Sequence, residues 1–115
     1  MSIDTVEKWQ ARINEIKQEL HELGEMRPGS ISEQFNVCGN PNCKCKDPER
    51  PKKHGPYYQL SYTHQGRSTT EFIKKESVSE VRQQLENHRT FKRLTKEWVD
   101  LSVKIARQRK KEASR

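Results

Sequence analysis

Apolar residues recur every seven positions between residues 5 and 23. Val6, Ile13 and Leu20 form one row; Trp9, Ile16 and Leu23 form the other. The two rows make a single seam on an undertwisted helix. The Glu, Lys, Gln and Arg residues between them suit a solvated face. Asp4 or Thr5 can cap this helix, Gly24 can end it, and Pro28-Gly29 forces a turn. A second helix is predicted from Ser77 or Ser79, where Ser77 and Glu80 have the capping-box spacing. Val78, Val81, Leu85 and His88 make one stripe along it. Phe91, Leu94, Trp98, Leu101 and Ile105 make another, offset by a residue around His88–Phe91. The offset reads as a bend or as drift of the 3.6-residue period. No apolar anchor follows Ala106, so the end is expected to fray.

The middle changes period. Residues 30–37 and 57–63 are aromatic and β-branched with polar alternation, the pattern of short strands. His64-Gln65-Gly66 reads as a turn, and residues 67–73 return as the partner strand, giving a hairpin from Tyr57 to Ile73. Residues 38–56 hold three cysteines, four prolines, two glycines and one histidine, too irregular for an element.

The expected fold is α+β. Two long antiparallel helices, coiled-coil-like, flank a small zinc-stabilised loop and a two- to three-stranded antiparallel β-sheet. Each helical stripe is too narrow for a core alone, so the stripes are expected to meet, within one chain or across a homodimer, with Trp9 and Trp98 as core knobs. The divisions are an N-terminal helix (1–26), a loop and hairpin module (27–75), a C-terminal helix (76–108) and a basic tail (109–115), all in one domain.

Composition agrees with a small core. Of 115 residues, 30% are hydrophobic and 34% charged. No apolar run reaches the roughly 18 residues of a membrane span. The opening MSIDTVEKWQ has acids at Asp4 and Glu7 and no apolar stretch, so no secretory signal is expected. Three clustered cysteines are an odd set, unlike a disulfide framework, and point to metal or thiol chemistry in a reducing compartment, the cytoplasm.

That cluster is Cys38-Gly-Asn-Pro-Asn-Cys43-Lys-Cys45, with His54 downstream. Thiolate and imidazole are the donors Zn²⁺ takes in tetrahedral structural sites, and these four residues supply the set. Gly39 and Pro41 suit the tight loop. His54 is preferred as fourth ligand because it adjoins Gly55-Pro56, where the chain turns into a strand; His64 and Asp47 are the rivals. His21 and His88 fall on helices and read as surface or seam residues. Inert free thiols and a redox or soft-metal-sensing set are the other readings of the cysteines. A closed four-ligand site is structural, Glu49 and Glu71 are acids that nothing selects, and no catalytic constellation appears. The chain is expected not to be an enzyme.

The net charge of +7 is uneven. Residues 1–35 hold four bases and seven acids, residues 36–75 eight and three, residues 76–115 eleven and six. An anionic partner for the later segments follows. Lys44, Lys46, Arg50, Lys52 and Lys53 lie on the cysteine loop and Tyr57 follows; Arg67 sits at the hairpin turn and Lys74-Lys75 at its end. Bases beside aromatics suit phosphate and base contact. Tyr58, Leu60 and Tyr62 also read as one buried face. The tail residues Lys104, Arg107, Arg109, Lys110, Lys111 and Arg115 read equally as phosphate contacts or as a solvated helix end.

Residues 27–46, RPGSISEQFNVCGNPNCKCK, and 54–62, HGPYYQLSY, resemble a family of small uncharacterised bacterial and archaeal proteins often encoded beside transposases. That family pairs a Gly-Ser-[Leu/Ile] strand, a Cys-Gly-x-Pro-x-Cys-x-Cys motif and a His-Gly-Pro-Tyr-Tyr strand with a closing long helix, and the resemblance covers about residues 27–108. The hairpin pattern is also similar to the three-stranded arm-binding domains of tyrosine recombinases. Together these imply a transposase or recombinase as partner.

The leading expectation is a zinc-stabilised accessory protein that binds nucleic acid, double-stranded DNA first, in a mobile-element system. The alternatives are a protein-interaction adaptor working through the helical stripes and a thiol-based metal or redox sensor.

Overall fold

The structure is a computed structural model that describes residues 3–114. Helix α1 spans Ile3–Glu22. Strands β1 (Ser30–Asn36), β2 (His54–His64) and β3 (Arg67–Ile73) follow, and helix α2 runs from Val78 to Ala113. The fold is thus α+β, with helices of 20 and 36 residues and a three-stranded antiparallel sheet in the order β1-β2-β3. Among the described residues, no helix is long and apolar enough to cross a membrane.

The chain forms two compact units, one of residues 26–85, the other of the residues before and after them. The offset between the two stripes of α2 has its explanation here. Val81 and Leu85 pack on Leu60 of the sheet, with Ile31, Tyr62 and Ile73 around them. Leu94, Leu101 and Ile105 pack instead on Ile13 and Ile16 of α1. One helix serves two cores, its first turns contributing to one and its later turns to the other.

In the helical unit, contacts run antiparallel: Lys104 lies over Trp9, Arg12 bonds Glu97, and Asn87 donates to the Glu25 carbonyl. The seam is narrower than the heptad predicts. Ile13 and Ile16 are buried, whereas Val6, Trp9, Leu20 and Trp98 flank the cluster half-covered. The two tryptophans are therefore flanking residues rather than core knobs, each beneath a lysine, Lys104 over Trp9 and Lys17 over Trp98. Phe91, expected in the stripe, is exposed and stacks on His88.

Several boundaries differ from expectation: β1 ends at Asn36, and His64, read as part of the turn, ends β2 opposite Arg67. Asp4 and Thr5 lie inside α1 rather than before it. β2 begins at His54, three residues early. Most notably, α2 does not fray after Ala106 but continues to Ala113. Gln108 is buried there and donates to Glu112 at 3.3 Å, and Gln, Arg, Lys and Ala hold a helix well without an apolar anchor.

Within the sheet unit, Gln65 (φ 51°) and Gly66 (φ 76°) make a two-residue hairpin turn, the left-handed pair that matches strand twist. Leu60 is fully buried, while Tyr58 and Tyr62 on the same face are half-buried. Tyr62 is covered by Arg27, which also bonds Glu71 at 2.6 Å.

Candidate metal centre

Strand pairing brings the two ends of the irregular loop together. Asn36 of β1 faces His54 of β2 across an irregular register after Gln34, so Cys38 leaves β1 beside the residue that starts β2. Gly55 makes the approach possible. Its φ is 141°, and a Cβ there would lie 2.7 Å from the Gln34 carbonyl oxygen; only glycine adopts this backbone without strain. Between the strands, Asn40 accepts from the Cys43 N–H (3.2 Å), and the Lys44–Lys46 turn carries Cys45 inward until it is 1% exposed. Lys52 donates back to the Lys44 carbonyl at 3.0 Å, closing the loop.

Cys38, Cys43, Cys45 and His54 consequently place their donor atoms within 4.8 Å of one another. The Cys38 and Cys45 sulfurs are 3.7 Å apart, and Cys43 Sγ is 3.2 Å from His54 Nε2. A tetrahedron built on thiolate bonds of about 2.3 Å and imidazole bonds of about 2.05 Å has edges of about 3.5–3.8 Å. The four donors fit that shape closely enough for a metal ion to draw them onto it. Asp47 is engaged elsewhere: its carboxylate accepts the Glu49 and Arg50 N–H groups at 2.9 and 3.3 Å. His64 ends the strand that His54 begins, about 30 Å away at roughly 3.3 Å per residue.

The four groups shift one another. The Asn40 backbone, then His54 and Cys43, hydrogen-bond Cys38 and pull its thiol down to about 6. Cys43 is lowered mainly by the Cys45 backbone. The Cys38 N–H favours the Cys45 thiolate, donating at 3.3 Å, but burial and the two neighbouring sulfurs push that thiol up. His54 is raised through its bonds to Cys38 and Cys43. Three thiols crowded onto one imidazole cannot all ionise cheaply without a positive charge among them.

The bases singled out on the loop and hairpin are all exposed: Lys44, Lys46, Arg50, Lys52 and Lys53 on the loop, Arg67 at the turn, Lys74 and Lys75 after β3. Among the described residues none of the eight is in an ion pair. Tyr57 is 43% exposed. Glu71 is committed to Arg27. At the end of α2, Lys104, Arg107 and Lys111 line a shallow depression with Trp9; Arg115 lies outside the described residues. Sequence reasoning passed over Phe72, which is 74% exposed. The alternation of β3 carries the signal, since Ile73 faces the core and its neighbour must face the other way.

A small α+β chain with a three-stranded antiparallel sheet and a Cys₃His cluster is the class that this fold and site define. The chain belongs to the family described as Domain of unknown function (DUF6788), whose model matches residues 6–83. The match takes in α1, the sheet, the cysteine loop and the first turns of α2. No curated protein and no solved structure matches the chain.

Proposed function

We propose that this chain is a nucleic-acid-binding accessory protein whose loop is ordered by one structural Zn²⁺, with duplex DNA as its ligand. The observation that carries the reading is the placement of five exposed, unpaired bases on the same short loop as a four-donor Cys₃His cluster. Soft thiolates with imidazole favour zinc over hard cations. Four protein ligands leave no open position, so the ion orders the loop rather than activating water, and the chain is not an enzyme. An ordered loop presents its lysines at fixed spacing, which suits phosphate contact. The resemblance to proteins encoded beside transposases makes a transposase or recombinase the enzyme that it serves, in the cytoplasm.

The test is duplex binding by zinc-loaded protein over a series of salt concentrations. Each contacted phosphate contributes a log–log slope of about −0.9. Replacing Lys52 and Lys53 by Ala flattens the slope by about one unit per lost contact and weakens all sequences alike. Absence of binding to any duplex or single strand at low salt overturns the reading. An adaptor role has one observation in its favour, the exposure of Val99 (62%) and Val103 (43%) on adjacent turns of α2.

A further inference from the structure

The two faces of the sheet are unlike. One presents Ile31, Leu60 and Ile73 to Val81 and Leu85. The register places Ser32, Gln59 and Phe72 in one row across the other face, with Ser61 opposite Thr70 in the next and Tyr57 two residues before Gln59. No charged residue falls on this second face within the paired strands, and Lys74 and Lys75 follow directly after β3. Its polar groups bond one another: Gln34 donates to Gln59 at 2.8 Å, and the Ser61 and Thr70 hydroxyls are 3.3 Å apart. Its aromatic rings are open, Phe72 at 74% exposed and Tyr57 at 43%. Both line a depression of ≈ 430 Å³ at the end of the hairpin, which Lys74 and Lys75 also line and which reaches round to Tyr58 and Ile73 of the core face.

We infer that this open face binds single-stranded nucleic acid, with Phe72 and Tyr57 each stacking on an unpaired base and Lys74 and Lys75 meeting the phosphates between them. Any base offers a π face to an aromatic ring, and stacking needs no particular sequence. The neutral amides and hydroxyls around the rings can meet base edges without repelling the backbone. Charge selects the occupant. An anionic strand complements Lys74 and Lys75, whereas a second copy of this face would bring like charges together. The inference rests on the nucleic-acid reading above and adds an unpaired strand to it.

The experiment compares three labelled probes of equal length at low salt: a thymidine strand, an abasic sugar–phosphate strand, and a duplex. Zinc-loaded wild type is expected to bind the thymidine strand at least about tenfold tighter than the abasic one, the size of a stacking contribution. Phe72→Ala should lose about tenfold on the thymidine strand alone, and Phe72→Trp should retain affinity. Phe72 is too exposed for its truncation to unfold the sheet, and circular dichroism checks this. Equal binding of the thymidine and abasic strands, or no effect of Phe72→Ala, overturns the inference and leaves the basic-loop reading standing. A change of oligomeric state in Phe72→Ala with strand affinity unaltered also overturns it, in favour of self-association. Failure to bind all three probes overturns both readings.

Discussion

Cys38 and Cys45 hold their sulfurs 3.7 Å apart, and the Cys38 N–H points at the Cys45 sulfur from 3.3 Å. The first distance matches the edge that a tetrahedral metal–thiolate site would have, and the second is a hydrogen bond of the kind that would stabilise a coordinated thiolate. One Zn²⁺ per chain is therefore expected by elemental analysis of protein prepared without chelator. Cys38→Ser should abolish it. His54→Ala should weaken zinc by about tenfold or more in competition with a chromophoric chelator, while His64→Ala leaves it unchanged. Affinity should fall as pH falls, because thiols and imidazole must lose protons to bind. A metal-free native protein removes the site.

Gly55→Ala tests how the strands position His54. The new Cβ must displace the Gln34 carbonyl or force φ out of the positive region, and either shifts the first residue of β2. Zinc affinity should drop while α-helical circular dichroism stays at the wild-type level. Unaltered zinc affinity would mean that the loop sets the site without help from the strand register.

The helical unit predicts a ranking. Ile16 is fully buried between α1 and α2, so Ile16→Ala should cost about 2–5 kcal/mol. Trp9 only flanks the cluster, and Trp9→Ala should cost less despite its larger side chain. Urea denaturation measures both, and the reverse order would return Trp9 to the core.

Glu97 carries a pH signature. Its bonds to Arg12, at 2.6 and 3.0 Å, hold its carboxyl below the usual 4.5. A depressed folded value means that the pair stabilises the fold above the unfolded value and loses this contribution as pH falls through the folded one. Thermal unfolding should show wild type losing stability below about pH 4.5 more steeply than Glu97→Gln, by a small margin because both side chains are partly solvated. Parallel curves would show that the pair contributes nothing.

Local chemistry made much of this protein legible in its sequence. A heptad marks α1, apolar stripes mark α2, and period-2 alternation marks β1 and β2, with β3 following from the turn after β2, because amphipathic periodicity is written residue by residue. Three cysteines within eight residues offer three of the four donors that could hold a metal for the same reason: their proximity is a matter of short chain, not of fold. Tertiary structure decided the rest. His54, His64 and Asp47 are chemically eligible as partners of the cysteines, and only the pairing of Asn36 with His54 brings one of them in. The shifted stripe of α2 looks like a bend until its two cores are seen, since periodicity records that a face is buried but not against what. The exposure of Phe72 is likewise decided by which sheet face receives a helix. An isolated strand has two equivalent faces, and packing alone makes one of them a surface.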